Sequence, residues 1–234
     1  MKERLTIGII GGMSPESTAA YYRQIVRRHR EEFRDHSYPR IVVISVSFQE
    51  YVDWQHAGDW DGIARGLEIE LRSAAAAGAD FALLATNTMH KVLPCVTSPI
   101  PVLSILDAVG AHAKKVGARC LGLTGTKFTM SDGFYAEGLE SRGLTVVTPS
   151  APEQEAIHSI IYNELISGEV NPSSARRFHE TAQRLLARGA DAVLLGCTEL
   201  ELLAGGYPDQ ARFLDSTRIH ADASWEVATG KASL

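Results

Sequence analysis

Two short segments carry the residue types suited to moving a proton. Residues 78–86, Gly-Ala-Asp-Phe-Ala-Leu-Leu-Ala-Thr, run into Thr86-Asn87-Thr88, and 111 residues later Gly-Ala-Asp-Ala-Val-Leu-Leu-Gly-Cys runs into Cys197-Thr198-Glu199. Each polar triplet follows an apolar run of strand length, and in parallel sheets ligands gather at the carboxyl ends of strands. Cys197 precedes Thr198-Glu199-Leu200, where a helix is expected to start. The dipole of a helix N-terminus lowers a thiol pKa and raises its thiolate fraction. Thr86-Asn87-Thr88 suits a helix cap, and the free backbone N–H groups of a cap can also hold a carboxylate. Cys95 follows Pro94 and Cys120 lies inside an apolar run, so both read as structural or incidental.

Two further turns belong with these. Gly11-Gly12-Met13-Ser14 and Gly125-Thr126-Lys127-Phe128-Thr129 both follow apolar runs, and their glycines let the backbone approach a ligand closely. Lys127 reads equally as a carboxylate ligand and as a solvated helix-end residue. Other chemistries find no pattern. The chain contains neither G-x-G-x-x-G nor G-x-x-x-x-G-K-[ST], which argues against a nucleotide site. Its eight histidines form no H-x-x-x-H pair on an expected helix, so no metal is expected. His90 and His220 stand within reach of a site with their roles open. Glu50, Glu199 and Glu201 form no evident carboxylate pair of the glycosidase kind.

The elements that position these turns follow from periodicity. Leu5–Ile10, Ile41–Val46, Phe81–Ala85, Cys120–Thr124, Leu144–Val147 and Ala192–Leu195 are mostly apolar runs suited to strands covered on both faces. Ser14-Pro15-Glu16 opens a helix through about Arg30, with an N-cap, a first-position proline and an acidic first turn. Ile63–Ala77, Pro152–Ser167 and Ser173–Arg188 read as three more helices. Such alternation implies βαβ units and parallel sheets.

A second internal match joins Ile7-Gly8-Ile9-Ile10-Gly11 to Leu121-Gly122-Leu123-Thr124-Gly125, 114 residues apart, and Tyr21 to Tyr135 at the same spacing. The chain therefore reads as two related halves, each beginning with strand, glycine turn and helix. The crossing is expected in Thr97–Ser104, where Pro99 and Pro101 interrupt the pattern. After Gly205-Gly206, Arg212–Leu214 is expected as a last strand and Ser216–Val227 as a helix, both returning to the first half. This gives a first α/β domain of 1–102 plus 210–234 and a second of 103–209, with Thr229–Leu234 a frayed tail.

Composition bounds the rest. The 234 residues are 45% hydrophobic, enough for a substantial core, and the net charge of −5 without a basic run argues against nucleic acid. Met1-Lys2-Glu3-Arg4 is followed by only six mostly apolar residues, too few for a signal peptide or a membrane span. Three cysteines without C-x-x-C spacing fit a reducing cytoplasm.

Taken together, Ile9-Ile10-Gly11-Gly12-Met13-Ser14, Thr86-Asn87-Thr88-Met89-His90-Lys91, Gly125-Thr126-Lys127-Phe128-Thr129-Met130 and Gly196-Cys197-Thr198-Glu199 resemble the aspartate/glutamate racemase family. Asp215-Ser216-Thr217 followed by His220-Ala221 also fits, so the resemblance spans about Leu5 to Val227. It implies two pseudo-symmetric, Rossmann-like α/β domains, each with a central parallel sheet flanked by helices, and an active site in the interdomain cleft. It further implies a homodimer, a small acidic amino acid as substrate, and racemisation without pyridoxal phosphate or metal. Many members use two cysteines on opposite faces of the α-carbon. Here only the second is kept, and Thr86 stands at the first position, as in the branch with Thr-Asn-Thr-Met-His-Lys that acts on L-aspartate and L-glutamate.

That pattern implies Cys197 as the working base and Thr86 as proton donor to the other face. Asn87, Thr88 and Thr198 would hold the α-carboxylate. Thr126, Thr129 and Lys127 would take the side-chain carboxylate, with Met13 and Ser14 beside it. Glu199 would repel a dicarboxylate, and so fits the substrate ammonium or the orienting of a neighbour. Ser47-Phe48-Gln49 stands where relatives often carry Asp-Phe, which leaves side-chain selectivity open. The competing readings are decarboxylation or cis–trans isomerisation of small dicarboxylates on the same fold, and a non-catalytic binder of acidic metabolites.

Overall fold

The computed structural model describes residues 4–205 and 210–234; Gly206 and the expected boundary at 209 lie outside them. The chain divides into two compact units, residues 1–108 with 217–234 and residues 109–216. In the first, β1 (Ile7–Gly11), α1 (Pro15–Phe33), β2 (Ile41–Ser45), α2 (Phe48–Ala57), α3 (Trp60–Ala76), β3 (Phe81–Leu84) and β4 (Val102–Leu103) lead into α4 (Ile105–Lys115). In the second, β5 (Cys120–Gly125), α5 (Lys127–Ser131), α6 (Phe134–Glu140), β6 (Thr145–Val147), α7 (Ala151–Asn163), α8 (Pro172–Ala187), β7 (Ala192–Gly196), α9 (Glu201–Ala204) and β8 (Phe213–Asp215) lead into α10 (Ser216–Ala228). The chain passes from unit to unit within α4 and returns within α10, so β8, expected to return to the first half, instead pairs with β7 in the second unit.

Each unit holds a four-stranded parallel sheet, ordered β2-β1-β3-β4 and β6-β5-β7-β8. This is the α/β class expected, and the internal repeat is visible in the register itself. Ile7 pairs with Phe81 in the first sheet, and Leu121 with Ala192 in the second, which are the partners the 114- and 111-residue spacings demand. Val102 opposite Ala82 corresponds likewise to Phe213 opposite Val193. The repeated Gly-Ala-Asp has a job in both halves. Asp80 Oδ2 accepts the N–H of Thr6 at 2.6 Å, and Asp191 Oδ2 that of Cys120 at 2.9 Å, so each latches the start of its central strand.

Both faces of the first sheet are covered, as apolar strands require. Ile10, Ala82 and Leu84 pack with Tyr51, Ile63, Leu67 and Leu71 of α2 and α3. Ile7, Ile9, Phe81 and Leu83 pack with Tyr21, Ile25 and Trp225 of α1 and α10. In the second unit, Leu195 packs with Ile157, Ile160, Ile161 and Phe178, while Val193 packs with Ala182 and Leu185. Tyr21 and Tyr135, matched in sequence, are both buried and both hydrogen-bond a residue of α10, His220 and Ser216 respectively.

Several elements differ from expectation. The helix expected over Pro152–Ser167 stops at Asn163, and Leu165–Ser167 form a separate 3₁₀ turn after Glu164. It begins at Ala151 because Ser150 and Glu153 form a capping box. α1 continues to Phe33 and ends at Arg34, which takes a left-handed conformation. The expected frayed tail is anchored in part: the N–H groups of Lys231 and Ala232 bond the Glu226 carbonyl at 2.8 and 3.2 Å. Lys231 also lies 4.8 Å from the Trp225 ring centre and pairs with Glu32. No helix among the described residues is long and apolar enough to cross a membrane.

Candidate active site

In the first unit, β1 and β3 are hydrogen-bonded neighbours whose carboxyl ends deliver two turns to one edge of the sheet. The turn after β1 needs glycine. Gly12 has φ +91°, and a Cβ there would lie 2.3 Å from the Val46 carbonyl oxygen. Thr18 Oγ1 accepts the Gly12 N–H at 2.8 Å and donates to the Ser14 carbonyl at 3.0 Å, tying the turn to α1. Ser14 caps α1 by accepting the Ser17 N–H, and Met13 is buried against Ile10 and Tyr51. After β3, Thr86 and Thr88 are half-buried and Asn87 is buried, entering a 3₁₀ turn over Thr88–Lys91 rather than an α-helix.

His90 and His220 underpin this edge. His90 Nδ1–H donates to the Thr86 carbonyl at 2.9 Å, and His90 Nε2 accepts the Ile105 N–H at 3.0 Å. His220 Nε2–H donates to the Leu103 carbonyl at 3.0 Å, while Tyr21 Oη–H donates to His220 Nδ1 at 2.8 Å. The partners thus fix opposite tautomers, and the rings meet edge to face at 5.7 Å. Burial holds both neutral, pulling His90 down to about 4 and His220 to about 3, with His90 itself adding to the depression at His220.

In the second unit, Gly125 pairs with Gly196, so the turns after β5 and β7 are adjacent. Thr126 and Thr129 place their hydroxyls 3.3 Å apart, with Thr129 buried. Lys127 is exposed and its Nζ pairs with Glu155 at 3.0 Å, while its backbone N–H donates to His158 Nδ1 at 3.3 Å. Cys197 and Thr198 are half-buried, as is Glu199. The Cys197 thiol donates to Glu199 Oε2 at 2.9 Å.

That contact corrects the expected thiol chemistry. The Cys197 pKa is raised well above the ordinary value, by burial first and then by the Glu199 carboxylate, which repels a thiolate and accepts the S–H. Backbone N–H groups of Glu199 and Thr198 pull the other way and are outweighed. The helix expected to supply a dipole is only a 3₁₀ turn, Thr198–Leu200, followed by the single turn of α9. Glu199, read as an ammonium ligand or an orienting group, here accepts the thiol proton.

Sequence reasoning missed His158 and Tyr162, spaced i, i+4 on α7 with ring centres 4.5 Å apart. The Tyr162 phenol is pushed up by burial and by the nearby Cys197 and Glu199 groups. The i, i+4 aromatic spacing was the available signal, but nothing in the sequence ties α7 to the Cys197 turn.

Fold and turns together define a duplicated α/β protein with an alcohol at the end of one central strand pair and a thiol at the equivalent end of the other. Residues 10–224 match the Asp/Glu/Hydantoin racemase family, and the chain belongs to it. It is similar to an inferred Asp/Glu racemase from Yersinia pestis, at 36% identity over 96% of this chain and 99% of that one, with a TM-score of 0.89. An aspartate racemase homologue from Pyrococcus horikoshii OT3 is 34% identical over 96% and 99% of the two chains, with a TM-score of 0.84. The aspartate racemase of Picrophilus torridus, 20% identical over 96% and 94%, shares the fold with a TM-score of 0.76.

Proposed function

We propose that this protein racemises aspartate or glutamate, using Cys197 and Thr86 as acid/base groups on opposite faces of the α-carbon. Family membership supports a racemase of the Asp/Glu type. The observation that carries the residue assignment is the shared register: Thr86 and Cys197 occupy equivalent positions after β3 and β7.

In the L-to-D direction the Cys197 proton is first lost to solvent by way of Glu199, the carboxylate already accepting it. The thiolate then takes the α-proton, the Cα–H bond breaks, and its electron pair spreads into the α-carboxylate. Donors of Asn87, Thr88 and Thr198 stabilise that developing charge. Thr86 Oγ–H protonates the opposite face and is reprotonated from water, because an alkoxide cannot persist near neutral pH. A raised thiol pKa suits this division of labour, since a more basic thiolate is the better proton acceptor. Thr126, Thr129 and Lys127 receive the side-chain carboxylate, Lys127 by leaving Glu155, while Met13 and Ser14 bound the same end.

L substrates are favoured because Cys197, whose thiolate is accessible near neutral pH where a Thr86 alkoxide is not, serves their face. Free enantiomers have equal energy, so kcat/KM must balance between the two directions and the preference shows only in kcat and KM separately. We further propose a cytoplasmic homodimer. With L-aspartate or L-glutamate in D₂O, the enzyme should exchange the α-hydrogen and lose optical rotation, and Cys197→Ala should abolish both. Unchanged rotation with every acidic amino acid would overturn the proposal.

A further inference from the structure

We infer that His90 is a positioning residue for the Thr86 proton donor, an inference that rests on the racemase reading above. Its imidazole spans two backbone groups from different elements. It donates to the Thr86 carbonyl at 2.9 Å and accepts the Ile105 N–H, the first of α4, at 3.0 Å. The first N–H groups of a helix have no partner within it, so the ring satisfies an otherwise orphaned donor while holding the turn. His90 is almost fully buried, and the His220 ring lies against it, itself fixed by Tyr21 and the Leu103 carbonyl.

The equivalent place in the second unit is built differently. Counting 111 residues on, Ile105 becomes Ser216 and His90 becomes Glu201. There Ser216 Oγ donates to the Leu195 carbonyl at 2.7 Å, within the strand and short of the Cys197 turn. Among the described residues, the alcohol side has an imidazole strut to the residue that bears it, whereas the matching position on the thiol side carries the carboxylate of Glu201. A weak proton donor depends on placement, and a displacement of about 1 Å in such a group costs about a hundredfold in rate.

The test separates exchange from inversion. L-Aspartate that loses its α-proton to Cys197 can regain deuterium on the same face, giving exchange without inversion, or be protonated by Thr86 and invert. His90→Gln keeps an acceptor for Ile105 but loses the bond to Thr86. It should raise the ratio of α-deuterium exchange to inversion about tenfold or more. His90→Asn, whose shorter amide can still donate to the Thr86 carbonyl, should stay near the wild-type ratio. Ile105→Pro removes the N–H at a helix position that proline tolerates and leaves the imidazole in place, and should raise the ratio too. A merely structural role would lower exchange and inversion together, and an unchanged ratio in both His90→Gln and Ile105→Pro would overturn the inference. Wild-type protein that neither exchanges nor inverts would overturn this and the racemase reading together, which distinguishes the two failures.

Discussion

Lowering the pH from 7 to 5 should strip stability from the first unit, and the two buried histidines set the amount. His90 and His220 remain neutral in the folded protein because burial depresses them from 6.5 to about 4 and about 3. In the unfolded chain both titrate near 6.5. Between these values the unfolded state binds the protons, so their contribution is present at pH 7 and lost as pH falls below about 6.5. At pH 5 each unfolded imidazole gains about 2 kcal/mol by protonation, or about 4 kcal/mol for the pair. The groups facing them do not cancel this. Asp107 pulls His90 the other way and is already outweighed by burial. His29, lowered by burial and Arg4 against Asp35, adds in the same direction. The raised Asp222 and Glu70 take up protons in the folded state and oppose the loss. All three tryptophans, Trp54, Trp60 and Trp225, lie in the first unit, so urea unfolding followed by tryptophan fluorescence reports on that unit alone. His220→Gln cannot take up the proton and should show about 2 kcal/mol less destabilisation between pH 7 and 5 than the wild type. Equal losses in the two proteins would refute the assignment of neutral, buried imidazoles.

Other expectations concern the thiol and the turns. Glu199→Gln removes the charge beside the sulfur, an interaction of about 1 to 4 kcal/mol at 4 Å between bulk-water and surface-like dielectric. Iodoacetamide labelling of Cys197 at pH 8, read by peptide mass spectrometry, should therefore speed up at least about fivefold; no change would detach Glu199 from the thiol. Because the Cys197 pKa is raised, kcat/KM should climb about tenfold per pH unit from neutrality into the alkaline range, and a flat profile would count against a thiolate base. Thr86→Cys should gain turnover of the D enantiomer in a polarimetric assay, and unchanged kinetics would remove Thr86 from the mechanism. Gly12→Ala should cost about 2 kcal/mol or more in urea unfolding, since it forces an L side chain to φ +91° and a Cβ onto the Val46 carbonyl.

Much of the scaffold was legible because it depends on local pattern. The apolar runs Ile41–Val46 and Cys120–Thr124 lie within one residue of the strands they form. Leu5–Ile10 sits two residues early, because Leu5 bonds the Ala228 carbonyl instead of joining the ladder. α2 escaped notice: it is polar, and Tyr51 is its only buried residue. α3 begins at Trp60, earlier than its apolar stripe, because Asp59 accepts the Gly62 N–H and caps it there.

The candidate site divides along the same line. The turns were readable from strand ends and glycines, whereas the state of Cys197 was not. Its thiol is governed by burial and by the rotamer of Glu199, neither of which sequence spacing encodes. His90 and His220 were open for a similar reason, since their roles depend on Ile105, Leu103 and Tyr21 arriving from other elements.

The common spacing of β3 with β7 and β4 with β8 has a practical corollary. From Phe81 to Ile105, and from Ala192 to Ser216, the two halves have kept one length, while β2 and β6 have drifted to a spacing of 105. The differences in length between the halves fall in the crossovers and leave the segments bearing the alcohol and the thiol equal. Residues 86–91 and 197–202 could be transplanted into one another's places with no gap to close, yielding chimaeras with two alcohols, two thiols, or the pair reversed.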